Sequence, residues 1–197
     1  DSVVIDPHKH GLQPYGCGCV LFADPGVGSI FEHESPYTYF TSDEVHPGEI
    51  TLECSRAGAS AAALWTTLQA LPLTRDGLGS HVAAARQAGI ELAARIDADD
   101  RVALVVQPEL DIVCAVARRP RASEISAVSD RAFAALADDG WHVAKLRLGT
   151  AWLKARHPWI EADEPEVTAI RCCLIKKEHL QVVDELSEVL GRTLGDS

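Results

Sequence analysis

The sequence predicts a mixed fold, α/β in its first part and α+β in a second domain that begins near residue 76. Three observations carry this. Short apolar, β-branched runs alternate with alanine- and leucine-rich stretches at helical spacing. A turn-rich break, "TRDGLGS" at 74–80, is the best candidate for a domain junction. Hydrophobic residues make up 47% of 197 positions and charged residues 24%, enough for a real core in one large domain or two small ones.

Residues 2–5 and 18–23 read as short apolar strands, the first of them buried. The stretch 23–48, "ADPGVGSIFEHESPYTYFTSDEVHPG", is rich in turn formers and aromatics and reads as a long loop, of the kind that is either functional or disordered. "EITLECS" (49–55) could be extended, and "RAGASAAALWTTLQALPL" (56–73) is helical until Pro72 stops it.

After the junction, residues 81–96 form a helix with Val82, Ala85, Ile90, Ala93 and Ile96 along or near one face. Residues 101–107 and 111–117 read as strands around the Pro108-Glu109 turn. A helix over 123–140 takes Ser123 as N-cap and Gly140 as C-cap. Strands at 141–149 and 167–175 follow, the second preceded by the acidic loop "EADEPE". The last helix, Glu178 to Leu194, carries Leu180, Val183, Leu186, Leu190 and Leu194 at helical spacing.

The charge balance excludes some partners. Formal net charge is −11 with basic residues scattered along the chain, which argues against nucleic acid or an anionic membrane as a partner. No apolar run approaches the roughly 18 residues of a membrane span. There is no methionine, and position 1 is Asp, so the sequence is expected to be the C-terminal piece of a longer protein. Six cysteines in a chain of this size read as buried thiols of a reducing cytoplasm rather than a disulfide framework. Of the adjacent Cys172-Cys173, strand alternation turns one to the core.

The chemistry concentrates in "DSVVIDPHKHGLQPYGCGCVLF", where Lys9 stands between two histidines just past a strand. Lys9 could be a solvated turn lysine. His8, His10, Cys17 and Cys19 could bind a metal, although H-x-H and C-x-C are tighter than the usual structural zinc pairs. The third reading is a Schiff-base lysine, whose amine becomes nucleophilic when its ammonium is desolvated or lies near other positive charge. Arg171, the one charge in the apolar strand "VTAIRCCLI", independently asks for an anionic partner.

The Asp6-Pro7-His8-Lys9 motif after a strand resembles the cofactor-lysine segment of the pyridoxal-phosphate-dependent amino acid decarboxylases, the group with glutamate, aromatic, tyrosine and diaminobutyrate decarboxylases. "HESPYTYFTS", "GEITLECSRAGASAAALW" and "PELDIV" resemble its bacterial tyrosine/diaminobutyrate branch, so the likeness runs over nearly the whole chain. It implies the aspartate-aminotransferase-like fold (fold type I). Residues 1–75 would be the C-terminal part of the large cofactor domain, and 76–197 the small domain. It implies pyridoxal phosphate on Lys9 through a Schiff base, with His8 beside the cofactor phosphate. Tyr37 or Tyr39 would be the loop tyrosine that protonates Cα, and Arg171 the grip on the substrate α-carboxylate. Arg56 more naturally ties the chain structurally.

The same resemblance places the ring that stacks on the cofactor, the pyridine-binding aspartate and most phosphate ligands upstream of residue 1. This piece is therefore expected to be inactive alone, and half of a parallel sheet would expose apolar faces and edges. The expected partners are an amino acid substrate, the missing N-terminal portion or a complementary chain, and a second copy in a homodimer. The implied reaction is decarboxylation of an L-amino acid. Transamination or carbon–carbon cleavage on the same scaffold is the alternative reaction, and an inactive structural homologue the alternative of another class.

Overall fold

The computed structural model describes residues 1–33, 46–50 and 57–195, in two compact units, Asp1–Leu78 and Gly79–Ser197. The positions Tyr37, Tyr39, Cys54 and Arg56 lie outside the described residues.

In the first unit, β1 (Ser2–Ile5) pairs with β2 (Cys19–Phe22) in a two-stranded antiparallel ribbon, from Ser2↔Phe22 to Ile5↔Cys19. Both strands were expected, but not their surroundings. β1 is exposed rather than buried, with Val4 at 71%, and the pairing is antiparallel rather than parallel. A two-stranded ribbon has no second layer of its own, so its alternating side chains face solvent on both sides. The stretch read as loop from residue 23 contains a 3₁₀ turn, Pro25–Phe31, and the four-residue α1 (Pro47–Ile50). The 3₁₀ turn forms because Asp24 Oδ1 accepts the Gly26 N–H at 2.8 Å and Pro25 presets the first helical φ. Glu49 and Ile50 are thus helical rather than extended. The helix expected up to Pro72 is α2 (Ala59–Ala70). Beyond it the Pro72 carbonyl accepts the Thr74 and Leu78 N–H groups, at 2.7 and 2.9 Å. That tight turn needs Gly77, where a Cβ would sit 2.2 Å from the Pro72 oxygen.

The second unit is an antiparallel four-stranded sheet in the order β3-β4-β6-β5, with helices. Its elements are α3 (Leu78–Asp97), β3 (Val102–Leu104), β4 (Ile112–Ala117), α4 (Ala122–Asp138), β5 (Ala144–Gly149), α5 (Thr150–Lys154), β6 (Glu166–Cys173) and α6 (Val183–Gly195). Strand alternation divides the core. Val102, Leu104, Val113, Ala115, Ile170 and Cys172 pack with α3, α4 and α6. Ala103, Val105, Val116, Val167 and Ala169 pack with Leu153 of α5 and Ile160.

Two expectations are corrected here. Ser123 does not cap α4 with its side chain. The Asp163 carboxylate reaches in from the acidic loop, accepting the Ser123 N–H at 3.0 Å and its hydroxyl. A carboxylate at this end also suits the helix dipole, and it displaces the weaker hydroxyl cap. The last helix starts later than expected, because residues Lys177–Val182 wind as a 3₁₀ turn before α6. Gly140 ends α4 as the sequence foretold, at φ +84°, with Trp141 N–H donating to Leu136 O and Gly140 N–H to Ala137 O. The short α5 went unread, since five residues are too few to show a period.

Candidate functional site

Asp6, Pro7, His8 and Lys9 form a tight turn in which the Lys9 N–H donates to the Asp6 carbonyl at 2.9 Å, with Pro7 supplying the preset φ. The Gln13 N–H closes a wider loop onto the Pro7 carbonyl at 3.0 Å. Gly11 passes so near that a Cβ there would meet the Pro7 Cα and O at 2.7 Å. Two buried side chains then staple the loop to α2. Gln13 Nε2 donates to Thr67 Oγ1 at 2.7 Å, and Cys17 Sγ donates to the Ser60 carbonyl at 3.7 Å. Neither staple was legible in the sequence. Their partners lie 54 and 43 residues away, and no periodicity links a glutamine to a distant threonine.

Lys9 itself is exposed, at 58% of its side chain, and Nζ donates to Asp6 Oδ2 at 2.6 Å. That hydrogen bond holds the Asp6 carboxyl below its usual range, the ammonium charge adding to it. Lys9 lines a cavity of ≈500 Å³ whose walls are otherwise mostly apolar, including Val4, Ile5, Leu64, Leu68 and Leu73. His8 sits differently. A carbonyl only accepts, so His8 Nδ1 is the donor toward Cys17 O at 3.3 Å, and the ring lies 5.4 Å from that of Tyr15. Lys9 and His10 line the cavity and His8 does not. Among the described residues no group of three or more His, Cys, Asp or Glu gathers as a metal site.

In the second unit, Arg171 lies on β6 opposite Cys114 on one side and Ala144 on the other. Its Nε is buried with no hydrogen-bond partner. Among the described residues no carboxylate pairs with this guanidinium. Burial pushes the neighbouring Cys114 thiol up, and Arg171 pulls it back in part. Of the vicinal pair, Cys172 is buried, its thiol pushed up to about 12 by desolvation, and Cys173 is exposed, as alternation required.

No family model matches the chain. Over 90 residues, 45% of its length, it is 39% identical to the L-tyrosine decarboxylase of Enterococcus faecium, covering 15% of that protein. All of it superposes on 40% of the mouse CSAD crystal structure, at a TM-score of 0.78 and 18% identity. The Oryza sativa TDC structure with PLP and tryptamine matches 99% of the chain over 39% of its own length, at 0.68 and 17%. The chain is similar to the pyridoxal-phosphate-dependent amino acid decarboxylases. It carries the C-terminal part of their fold, fold type I, and it spans well under half the length of the decarboxylases it matches.

The cofactor this family implies fits the lysine loop in one respect. Lys9 offers an accessible primary amino group on the wall of a cavity, which suits a pyridoxal aldehyde. Its exposure and its Asp6 partner are the opposite of the desolvated or positive setting expected of a Schiff-base lysine. Among the described residues no arginine lines that cavity, and Lys9 and His10 are its basic groups.

Proposed function

We propose that this chain is the C-terminal part of a pyridoxal-phosphate-dependent L-amino acid decarboxylase, with Lys9 as the covalent anchor of the cofactor. The observation that carries this is the exposed Lys9 amine, fixed by the Asp6–Lys9 turn and opening on an apolar cavity. It occurs in a chain similar to decarboxylases along much of its length. Residues 1–75 are read as the end of the large cofactor domain and 76–197 as the small domain.

When bound, pyridoxal phosphate supplies an electron sink for the pair released from the bond between Cα and the carboxylate. The chain's own residues hold and orient. Asp6 keeps its negative charge, because Lys9 lowers its pKa, so it steadies the ammonium at Nζ rather than taking the proton. His8, whose Nδ1–H is committed to the Cys17 carbonyl, is proposed as the neighbour of the cofactor phosphate on the resemblance alone. Arg171 is read as the receptor of the substrate α-carboxylate. A buried Nε without an acceptor supports that role, since a planar guanidinium fork matches a carboxylate bidentately. Tyr37 or Tyr39 is proposed as the proton donor to Cα on the resemblance alone.

The missing upstream portion and a second copy of the protein are the proposed partners, which the outward apolar ribbon supports. Five of the six cysteines lie among the described residues and are free there, which supports a reducing, cytoplasmic setting. Among the described residues no helix is long and apolar enough to cross a membrane. The test is release of carbon dioxide from each of the twenty amino acids by the full-length protein. We expect release from at least one of them, abolished in Lys9→Ala. Release from none, or a Lys9→Ala variant as active as its parent, would overturn the reading.

A further inference from the structure

The arginines that look scattered in sequence converge in the second unit. A cavity of ≈310 Å³ lies against the edge strand β3, with Arg118, Arg156 and His157 among its walls. Each of the three is held by an indole. The Arg156 guanidinium carbon stacks 3.6 Å from the centroid of the Trp152 ring, and Nη1 donates to the Trp152 carbonyl at 3.1 Å. Arg118 stands 5.7 Å from the Trp159 ring, with Nε donating to the Val102 carbonyl at 3.1 Å. The His157 ring lies 5.7 Å from the same Trp159.

What the two guanidinium groups lack, beyond those backbone carbonyls, is an anionic partner among the described residues. Neither guanidinium forms an ion pair among the described residues. His157 Nε2 is buried with no hydrogen-bond partner. The one carboxylate in the wall, Asp97, is already engaged by Gln107 Nε2. Cation–π contacts fix the two guanidinium planes before any ligand arrives, so less side-chain entropy is lost on binding. The net charge of −11 does not forbid an anion here. Beyond about 8 Å that field is screened at physiological salt, and the nearby guanidinium groups dominate inside the cavity.

We propose that this cavity binds a small oxyanion, a carboxylate or a phosphate monoester, through Arg118 and Arg156 with His157 Nε2 as a third contact. At ≈310 Å³ it is at the low end of small-molecule sites, which suits a metabolite of a few heavy atoms rather than a nucleotide. The proposal does not depend on the decarboxylase reading, and its test keeps the two apart.

Isothermal titration of the full-length protein with inorganic phosphate and with malonate is the experiment, repeated on Arg118→Gln, Arg156→Gln and Arg171→Lys. We expect at least one probe to bind saturably at a site that Arg171→Lys leaves intact, and to weaken there at least about tenfold in each of the first two variants, the loss of one charge-assisted hydrogen bond. Arg171→Lys should leave this binding unchanged. Tighter phosphate binding identifies a phosphate monoester site, and tighter malonate binding a carboxylate site. The proposal is overturned if neither probe saturates, if both arginine variants bind like the parent, or if Arg171→Lys alone removes the binding. Circular dichroism of each variant checks that it is folded, and the two arginine changes are made separately so that one folded variant suffices.

Discussion

Among the described residues of Asp1–Leu78, the buried hydrophobic side chains are Cys17 and Leu78. In Gly79–Ser197 two apolar clusters fill the space between a four-stranded sheet and its helices, and side chains such as Ile125, Leu136 and Ile170 are fully buried. The first unit holds its lysine by turns and hydrogen bonds, the second holds its arginine by packing. A reactive amine tolerates the first arrangement because a tight turn needs few residues to aim it. An exposed apolar ribbon is the cost, and that surface is what a covering subunit or domain would remove from water. A guanidinium inside a packed sheet needs the second arrangement, since only rigid neighbours keep a buried Nε from finding water.

The largest expected effect sharpens this contrast. Ile170→Ala, on a central strand and fully buried, should cost about 2–5 kcal/mol by chemical denaturation. Val4→Ala, in the ribbon that is exposed in this chain, should stay within about 0.5 kcal/mol when this chain is denatured by itself. A comparable loss for both there would break the comparison.

Arg171→Lys comes next, as a test of whether a residue in the packed unit works for binding rather than for stability. On the proposed decarboxylase reading, kcat/KM of the full-length protein should fall by about 2–4 kcal/mol, with the cofactor spectra unchanged. The melting temperature should barely move, since Arg171 has no acidic partner to lose among the described residues. A lower melting temperature with kinetics intact per folded molecule would return it to a structural role.

Smaller effects belong to the ends of α4. Gly140→Ala meets no neighbour within 4 Å, so its whole cost is the left-handed φ of +84°, about 1–2 kcal/mol by thermal unfolding. A neutral result would mean the helix end rearranges. At the other end, the Ser123 hydroxyl and N–H hold the Asp163 carboxyl below its usual range. A lowered folded pKa means that the unfolded chain binds more protons at acid pH. The Asp163 contribution is therefore complete above about pH 4 and lost as pH falls through the folded value. Asp163→Asn should flatten that part of the acid limb in a pH series of melts, and an unchanged limb would remove Asp163 from the cap.

What the sequence revealed divides along the same line. Elements with a long period or a punctuating residue were legible: α2 ending before Pro72, α4 closed by Gly140, and the strand that turns Cys172 inward and Cys173 outward. Lys9 and Arg171 were legible because each is a chemical anomaly, an amine in a turn between histidines and a charge in an apolar strand. Contacts made across distance were not. The Asp163 cap lies 40 residues from Ser123, and the Gln13–Thr67 staple spans 54. The burial expected for β1 failed for the same reason, since an apolar strand states a need for a neighbour without saying where the neighbour is. The cavity at Arg118 and Arg156 went unseen because arginines spread along the chain become a cluster only when the sheet and α5 are formed.

The most direct test of the central claim is where the cofactor is attached. The full-length protein, saturated with pyridoxal phosphate and reduced with borohydride, would be digested and its peptides sequenced by mass spectrometry. The account predicts a pyridoxyl group on the peptide containing Lys9, absent from a Lys9→Ala control. A pyridoxyl group on a different lysine, with the Lys9 peptide unmodified, would contradict it.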